Sequence, residues 1–251
     1  MNKIMLGLPA YNEEDNIGKL IDKANLFIES IKDKGYDLDI VPLDDCSRDK
    51  TKEIIINKSE VYKNVKPLFH EVNKNLGGGM NTLLNYFLDN YKDGDVLIIM
   101  DSDMTHDPKY ILDLLDKLSE NHDVAIASRY RKGSEVKGVP GIRKFLTFGA
   151  RIYYTLVLNI KGTRDYTCGY RAYKYSILDK AKNSYGNKII VNDSFACMME
   201  LIYKLYRLGA TIGEVPFVLR YDIKGGESSM KVANTVKTSL YTALMLRLKK
   251  F

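Results

Sequence analysis

Compact apolar runs alternate with amphipathic stretches through the first half of the chain, and run length separates strands from helices. IMLGLPA (4–10), LDIVPL (38–43), VLIIM (96–100) and DVAIASR (123–129) have strand length, and VKPLFHE (65–71) is a weaker member of the set. Asn12 caps a predicted helix with Glu13, Glu14 and Asp15 in its first turn, where acids complement the helix dipole. That helix runs to Lys34 and stops at Gly35. A second spans about 50–60, and NLGGGM (75–80) opens a third. Asp107-Pro108 supplies an N-cap and a first-position proline for a fourth, through about residue 119. Such alternation predicts an α/β chain with a mostly parallel sheet and helices on both faces.

The second half is less regular. Ile142, Phe145, Leu146, Ile152, Tyr153, Leu156 and Val157 recur at helical spacing, while Arg143, Thr147, Arg151 and Thr155 follow one another at intervals of four. The pattern predicts an amphipathic helix over 142–160 with a basic, hydroxylated stripe. A further helix fits 194–208, and 214–221 reads as a strand. The last twenty residues form another basic amphipathic helix, with Val232, Val236, Leu240 and Leu244 opposite Lys237 and Arg247. No internal repeat or linker divides the chain, so a single domain over 1–251 is expected.

Composition narrows the class. Of 251 residues, 45% are hydrophobic and 28% charged, with 6 Pro and 18 Gly, which excludes a disordered or collagen-like chain. Cys46, Cys168 and Cys197 are odd in number and lack metal-ligand spacing, which points to a reducing compartment. The net charge of +6 is unevenly spread. Residues 1–128 hold 15 Lys and Arg against 24 Asp and Glu, and residues 129–251 hold 23 against 8. The basic half suits an anionic partner such as phosphate or a membrane surface. No signal-peptide pattern opens the chain, and IYYTLVLNI (152–160) and YTALMLRL (241–248) are too short to span a bilayer. A soluble or peripheral protein is therefore expected.

The polar clusters fall after the apolar strands, where ligands of open α/β sheets bind. Asp101-Ser102-Asp103 places two carboxylates at i and i+2 on leaving a buried strand. Hard cations such as Mg2+ and Mn2+ take such pairs together with phosphate oxygens; an Asx-turn is the structural alternative. Asp44-Asp45 and Glu13 offer acceptors for ribose hydroxyls or base N–H groups, or else they cap helices, as Ser47 and Asp49 also can. The glycines of NLGGGM match no phosphate-loop fingerprint and read as a backbone turn. His70, His106 and His122 read as surface or turn residues.

LPAYNEEDNI, LDDCSRDKT, NLGGGMNT, IIMDSDMTHDP, ASRY, DYTCGYRAY and IGEVPF occur in one order over about residues 3–240. Together they resemble the polyprenyl-phosphate glycosyltransferases, most closely the dolichyl-phosphate mannosyltransferase catalytic subunits. The resemblance implies a GT-A fold whose half 1–129 binds a nucleotide sugar and whose half 130–251 binds the acceptor. It implies inverting transfer of a sugar, mannose from GDP-mannose, to a polyprenyl or dolichyl phosphate; a UDP-sugar donor is the alternative. By the family pattern, Pro9, Tyr11 and Glu13 contact the nucleotide, with Leu43 and Asp45 near its base or ribose. Asp101 and Asp103 correspond to the D-x-D pair that binds metal and diphosphate, with Ser102 in the same turn and Thr105 at the third ligand position. Arg129, Arg143 and Arg220 resemble the arginines that hold phosphates, and Arg129, Arg143 and Asp103 carry the catalytic roles. Mg2+ or Mn2+ is the implied cofactor. The implied partners are the donor, the lipid phosphate and the cytoplasmic face of a membrane, with no nucleic acid. An acidic residue of the family matches Glu200.

Some positions depart from the pattern. Cys46 and Lys50 stand where the family has glycine. Thr105 replaces a commoner glutamine or serine. The terminal G-x-S-K reads Gly226-Glu227-Ser228-Ser229, leaving Lys224 or Lys231 as substitutes.

Overall fold

A computed structural model describes residues 1–139, 141–223 and 232–248, apart from the side chains of 142–146 and 232–237. Among the described residues, seven strands form one sheet in the order β3-β2-β1-β4-β7-β5-β8. They are β1 (Asn2–Ala10), β2 (Tyr36–Asp44), β3 (Leu68–Phe69), β4 (Val96–Ile99), β5 (Val124–Ser128), β7 (Arg171–Lys174) and β8 (Ile212–Pro216). All pair in parallel except β7, which runs antiparallel to both β4 and β5. Every residue of β4 and β5 is buried, so both faces of the sheet are covered. A separate parallel pair joins β6 (Glu135–Lys137) to β9 (Val218–Arg220). The stretch expected as one strand over 214–221 is thus two, divided between sheets.

The first predicted helix is two. α1 (Ile17–Asn25) and α2 (Ile28–Asp33) meet at Leu26 and Phe27, whose N–H groups donate three residues back, to Lys23 and Ala24. That tightened turn ends the α-helical ladder without Pro or Gly. Asn12 does not cap α1, because its backbone N–H donates to Ser47 Oγ and its side chain accepts from the Arg48 N–H. Gly35, at φ +88°, stops α2 where expected. α3 (Thr51–Val61), α4 (Asn75–Asn90) and α5 (Ile111–Ser119) follow the predicted pattern. α7 (Tyr175–Tyr185) was not signalled, and α8 (Cys197–Arg207) occupies the predicted stretch.

α6 (Gly141–Leu158) packs against α9 (Val232–Leu248), with Tyr153 Oη donating to the Leu240 carbonyl. The apolar stripe of α6 is only partly covered: Ile152 and Leu156 are 47% and 77% exposed, as is Phe148 at 49%. Tyr154 and Leu158 are buried instead. On α9, Tyr241, Leu244 and Leu248 are also exposed. Among the described residues no helix is long and apolar enough to cross a membrane.

The glycine run lies inside α4 rather than in a turn. A Cβ on Gly77 would come within 2.1 Å of the Asn192 carbonyl oxygen, whereas one on Gly79 would meet Leu43 at an ordinary 3.5 Å. Gly77 thus lets the 192–193 backbone seat on α4, with its N–H donating to the Asp193 carbonyl. Gly77→Ala is expected to cost about 1–3 kcal/mol through this clash. Gly79→Ala should be neutral or gain up to about 1 kcal/mol from reduced unfolded-state freedom. Urea unfolding of both variants checks the pair.

Candidate active site

Parallel pairing sets the carboxyl ends of β1, β2 and β4 side by side. Pro9 lies opposite Leu43, Ala10 opposite Asp44 and Gly7 opposite Ile99. The loops leaving these ends are the polar clusters of the sequence. Each holds a non-glycine residue at positive φ: Asn12 at 56°, Cys46 at 63° and Met104 at 63°. Backbone strain of this kind persists only where the surroundings enforce it, and it clusters at ligand sites. The φ of Cys46 also gives a physical reason for glycine at that position in the resembled family.

Hydrogen bonds lace the three loops together. The Asp45 N–H donates to the Ala10 carbonyl (2.9 Å), and Ser102 Oγ donates to the Pro9 carbonyl (2.8 Å). The Glu13 N–H donates to Thr51 Oγ1 (2.7 Å), and Glu13 Oε2 accepts from Asn16 Nδ2 (2.8 Å). Tyr11 is exposed at the same edge, while Leu43 is fully buried beneath it and forms floor rather than surface. Asp49, not Ser47, anchors the start of α3: its Oδ1 accepts from the Thr51 N–H and Oγ1.

The two D-x-D carboxylates have different surroundings. Asp103 is nearly buried, and its Oδ1 accepts from the Thr105 N–H (3.1 Å) and Oγ1 (2.6 Å). This is the Asx geometry anticipated as the structural alternative, with Thr105 fixing the carboxylate. Asp101 is 39% exposed at its side chain and opens onto a cavity. Its N–H donates to His106 Nδ1 (3.2 Å), so that nitrogen is the unprotonated one. Gly169 makes room for Asp101, since a Cβ there would fall 2.6 Å from Oδ1. Among the described residues no three or more His, Cys, Asp or Glu side chains form a metal cage. The donor set nonetheless fits a hard cation. Mg2+ characteristically takes one or two carboxylates and completes its shell with water and substrate phosphate.

The cavity encloses about 670 Å3 between the β4 loop, the 164–169 segment and α6. Arg129, at the end of β5, lines it, held by Asp165 through Nε (2.8 Å) and Nη2 (2.6 Å), with Nη2 also donating to Thr167 Oγ1. Burial alone would raise the Asp165 carboxyl, but the adjacent Arg129 guanidinium outweighs it and holds it below the ordinary carboxylate range. Burial opposes the Arg129 charge too, and Asp165 overrides that effect and raises its pKa well above the usual value. Arg151 Cζ lies 4.6 Å from the Tyr130 ring centroid and Arg129 Cζ 5.7 Å from the same ring. One aromatic ring therefore positions two guanidinium groups on the cavity wall. Burial pushes the Tyr130 phenol up to about 12, so the ring stays neutral at physiological pH.

Not every expected residue joins this wall. Arg220 donates from Nε and Nη2 to Asp222 (2.8 Å each) and does not line the cavity; its backbone N–H donates to the Thr105 carbonyl. Arg143 occupies the first turns of α6, but its side chain lies outside the described ones, as do Lys224, Lys231 and the 226–229 motif. Glu200 is taken up by structure. It accepts from the N–H groups of Val191 and Asn192 and from Lys204 Nζ. His106 is buried in the bend after β4 and the His70 side chain is only 5% exposed, so neither is a surface group, whereas His122 serves a turn by contacting the Lys117 carbonyl. Sequence reasoning missed Tyr130, Asp165 and Thr167 as site residues. It placed Arg151 on the basic stripe without placing it in a site. Asp165 had a signal, since it opens DYTCGYRAY.

Polar loops at the carboxyl edge of a mostly parallel sheet, with two aspartates at i and i+2 on the loop after β4, give the chain the GT-A architecture of a glycosyltransferase. The chain belongs to glycosyl transferase family 2, whose pattern matches residues 6–181. It is 29% identical over 233 residues to a dolichol-phosphate mannosyltransferase of Pyrococcus furiosus, covering 91% of this chain but only 59% of that protein. It is 28% identical over 241 residues to a dolichyl-phosphate beta-glucosyltransferase of Trichomonas vaginalis, covering 93% of this chain and 70% of the relative. In three dimensions it is similar to glucosyl-3-phosphoglycerate synthase from Mycobacterium tuberculosis, solved with Mn2+ and UDP. The TM-score is 0.68 at 18% identity, with 98% of this chain and 80% of the other covered.

Removing the charge of Asp165 would strand Arg129 in a mostly enclosed site. Asp165→Asn is expected to cost about 3–5 kcal/mol in urea unfolding. In the unaltered protein the pair contributes fully above the unfolded carboxylate pKa of about 3.9. Because the native pKa is lowered, that contribution should drain as pH falls from there through the native value. A stability–pH curve for Asp165→Asn that still falls in step with the unaltered protein would contradict this assignment.

Proposed function

We propose that this chain transfers a sugar, with inversion, from a nucleoside diphosphate to a polyprenyl phosphate. The observation that carries the reading is the composition of the cavity. Asp101 stands at one side, Arg129 and Arg151 on the wall, and the partly exposed Phe148 and Phe195 also line it. A phosphate headgroup with an apolar tail needs such surfaces adjacent.

In this reading Pro9, Tyr11, Glu13 and Asp45 receive the nucleotide, over the floor made by Leu43. Asp101 and Asp103, with Thr105, hold Mg2+ or Mn2+, which neutralises charge building on the departing diphosphate. Arg129 and Arg151 orient the acceptor phosphate, aided by Arg143 from the same helix as Arg151. A phosphate oxygen attacks the anomeric carbon as the bond to the diphosphate oxygen breaks, so one displacement inverts the centre. An ionised phosphate needs no general base, which agrees with a cavity whose histidine is committed to the Asp101 N–H. The apolar row of Phe148, Ile152 and Leu156 would meet the membrane surface on the cytoplasmic face. GDP-mannose is the donor favoured by the motif resemblance and by the mannosyltransferase relative. A UDP-sugar is the second reading, favoured by the glucosyltransferase relative and by the UDP bound in a structural neighbour.

A donor panel with a short polyprenyl phosphate and Mg2+ or Mn2+ tests the reaction, which should stop in EDTA and in Asp101→Asn. Turnover that survives chelation would remove the metal from the scheme. For the acceptor, Arg151→Ala and Arg143→Ala should each raise the KM for lipid phosphate about ten- to a hundredfold, the loss of one charge-assisted contact. Hydrolysis of the donor by water should change little. Equal losses in both assays would move these arginines to the donor side.

A further inference from the structure

We propose that His70 is a positioning residue for the donor nucleoside, acting through Asp45. The inference rests on the reading that Asp45 contacts the base or ribose, and it assigns to a residue outside the D-x-D and arginine machinery a part in that contact.

The chain builds the contact from three elements. β3 pairs Phe69 with Asp44, and one residue further the His70 N–H donates to the Asp44 carbonyl (2.9 Å). This places the imidazole directly beside Asp45, with Nδ1 2.6 Å from Oδ1; the two side chains are only 5% and 9% exposed. The far nitrogen, Nε2, lies 2.8 Å from Thr82 Oγ1 on α4. Thr82 Oγ1 is itself 3.1 Å from the Gly78 carbonyl. A carboxylate only accepts, so the ring carries a proton on Nδ1. The Thr82 hydroxyl can donate to Nε2 or to Gly78, and in either arrangement the His70–Asp45 bond is kept. The ring is thus held at both ends.

The consequence falls on the carboxylate. Oδ1 also accepts from the Lys74 N–H (2.8 Å), so the described bonds to the Asp45 carboxylate converge on that oxygen. With Oδ1 held by two donors, the rotation of the carboxyl group is fixed and Oδ2 is the oxygen left to meet a ligand N–H or O–H. Without His70, Asp45 would retain a single backbone donor and could turn. Pre-organisation of this kind strengthens binding by lowering the ordering cost. Because the nucleoside is held equally before and during transfer, its loss should appear in donor KM rather than in kcat.

Asparagine and glutamine separate the two ends of the ring. Asn reproduces a donor near the Nδ1 position, and Gln reproduces one near Nε2. By titration calorimetry with GDP and UDP as probes, in the presence of Mn2+, His70→Gln and His70→Ala should weaken the nucleotide that binds about tenfold, the value of one hydrogen bond to a charged group. His70→Asn should stay within about twofold of the unaltered protein. Binding of Mn2+-pyrophosphate, which has no nucleoside, should be unchanged in all three, and so should the acceptor KM. Asp45→Asn is the control for the underlying reading. If Asp45→Asn leaves nucleotide affinity intact, the assignment of Asp45 fails and the proposal with it. If Asp45→Asn weakens binding but His70→Gln does not, the role of His70 alone is overturned. Parallel losses in nucleotide and pyrophosphate binding, with His70→Asn no better than His70→Ala, would reduce His70 to a structural tether of the 70–74 loop and equally overturn it.

Discussion

A buried carboxylate, Asp165, holds one wall of the cavity together. It accepts from Arg129 through the backbone N–H, Nε and Nη2, and from the N–H groups of Thr167 and Cys168. Beside it, Glu214 accepts from the N–H groups of Arg164 and Asp165 and pairs with Arg131. Two buried carboxylates thereby fasten the end of β5 and the segment leading into β7 to β8. Desolvated charges on this scale are tolerated only when their lone pairs are filled, and here the filling groups are the backbone of the site itself. From that clamp follow the path of 164–169, the close approach of Gly169 to Asp101, and the direction in which Arg129 faces the cavity. The same apolar setting pushes the Cys168 thiol up to about 12, so this residue is inert packing rather than a nucleophile.

The half of the fold that local physics dictates was legible in the sequence. Buried parallel strands announce themselves as apolar runs, and the loops after β1, β2 and β4 were recognisable as polar clusters at the right edge. β7 was not legible, because YRAY (170–173) mixes tyrosine and arginine and has no simple apolar run. Its strand character comes from pairing with both β4 and β5, a tertiary effect. Arg171 is fully buried inside the sheet, its charge answered by the carbonyls of Met198 and Tyr166. No periodicity argument would place an arginine there. The break between α1 and α2 was hidden for a similar reason: nothing at Leu26 or Phe27 forbids a helix, and the turn is set by packing.

At the site, the residue types were readable and their roles were less so. Asp101 and Asp103 look alike in sequence, yet one faces the cavity while the other is fixed by Thr105. Of the two alternatives weighed for the motif, the Asx-turn is present at Asp103, while Asp101 opens onto the cavity. Lone histidines gave no signal of burial. Whether His70 is a surface residue depends on β3 reaching it, and β3 is only two residues long.

The orientation of α6 is the feature that the sequence pattern left open and the packing decides. A helix with an apolar stripe and a basic stripe is ordinarily expected to turn the first inward. Here Thr147, Phe148 and Arg151 line the cavity, Tyr154 and Leu158 supply the buried contact, and Ile152 and Leu156 are left outside. Exposed apolar side chains at four-residue intervals cost solvation, whereas Arg151 gains the Tyr130 ring. The arrangement is unfavourable in water alone and reasonable when an amphiphile is shared between the two surfaces. In the proposed reading one helix divides the recognition task, its cationic side reaching the phosphate within the cavity and its outer apolar side lying along the lipid. A water-soluble acceptor would leave the second surface without purpose.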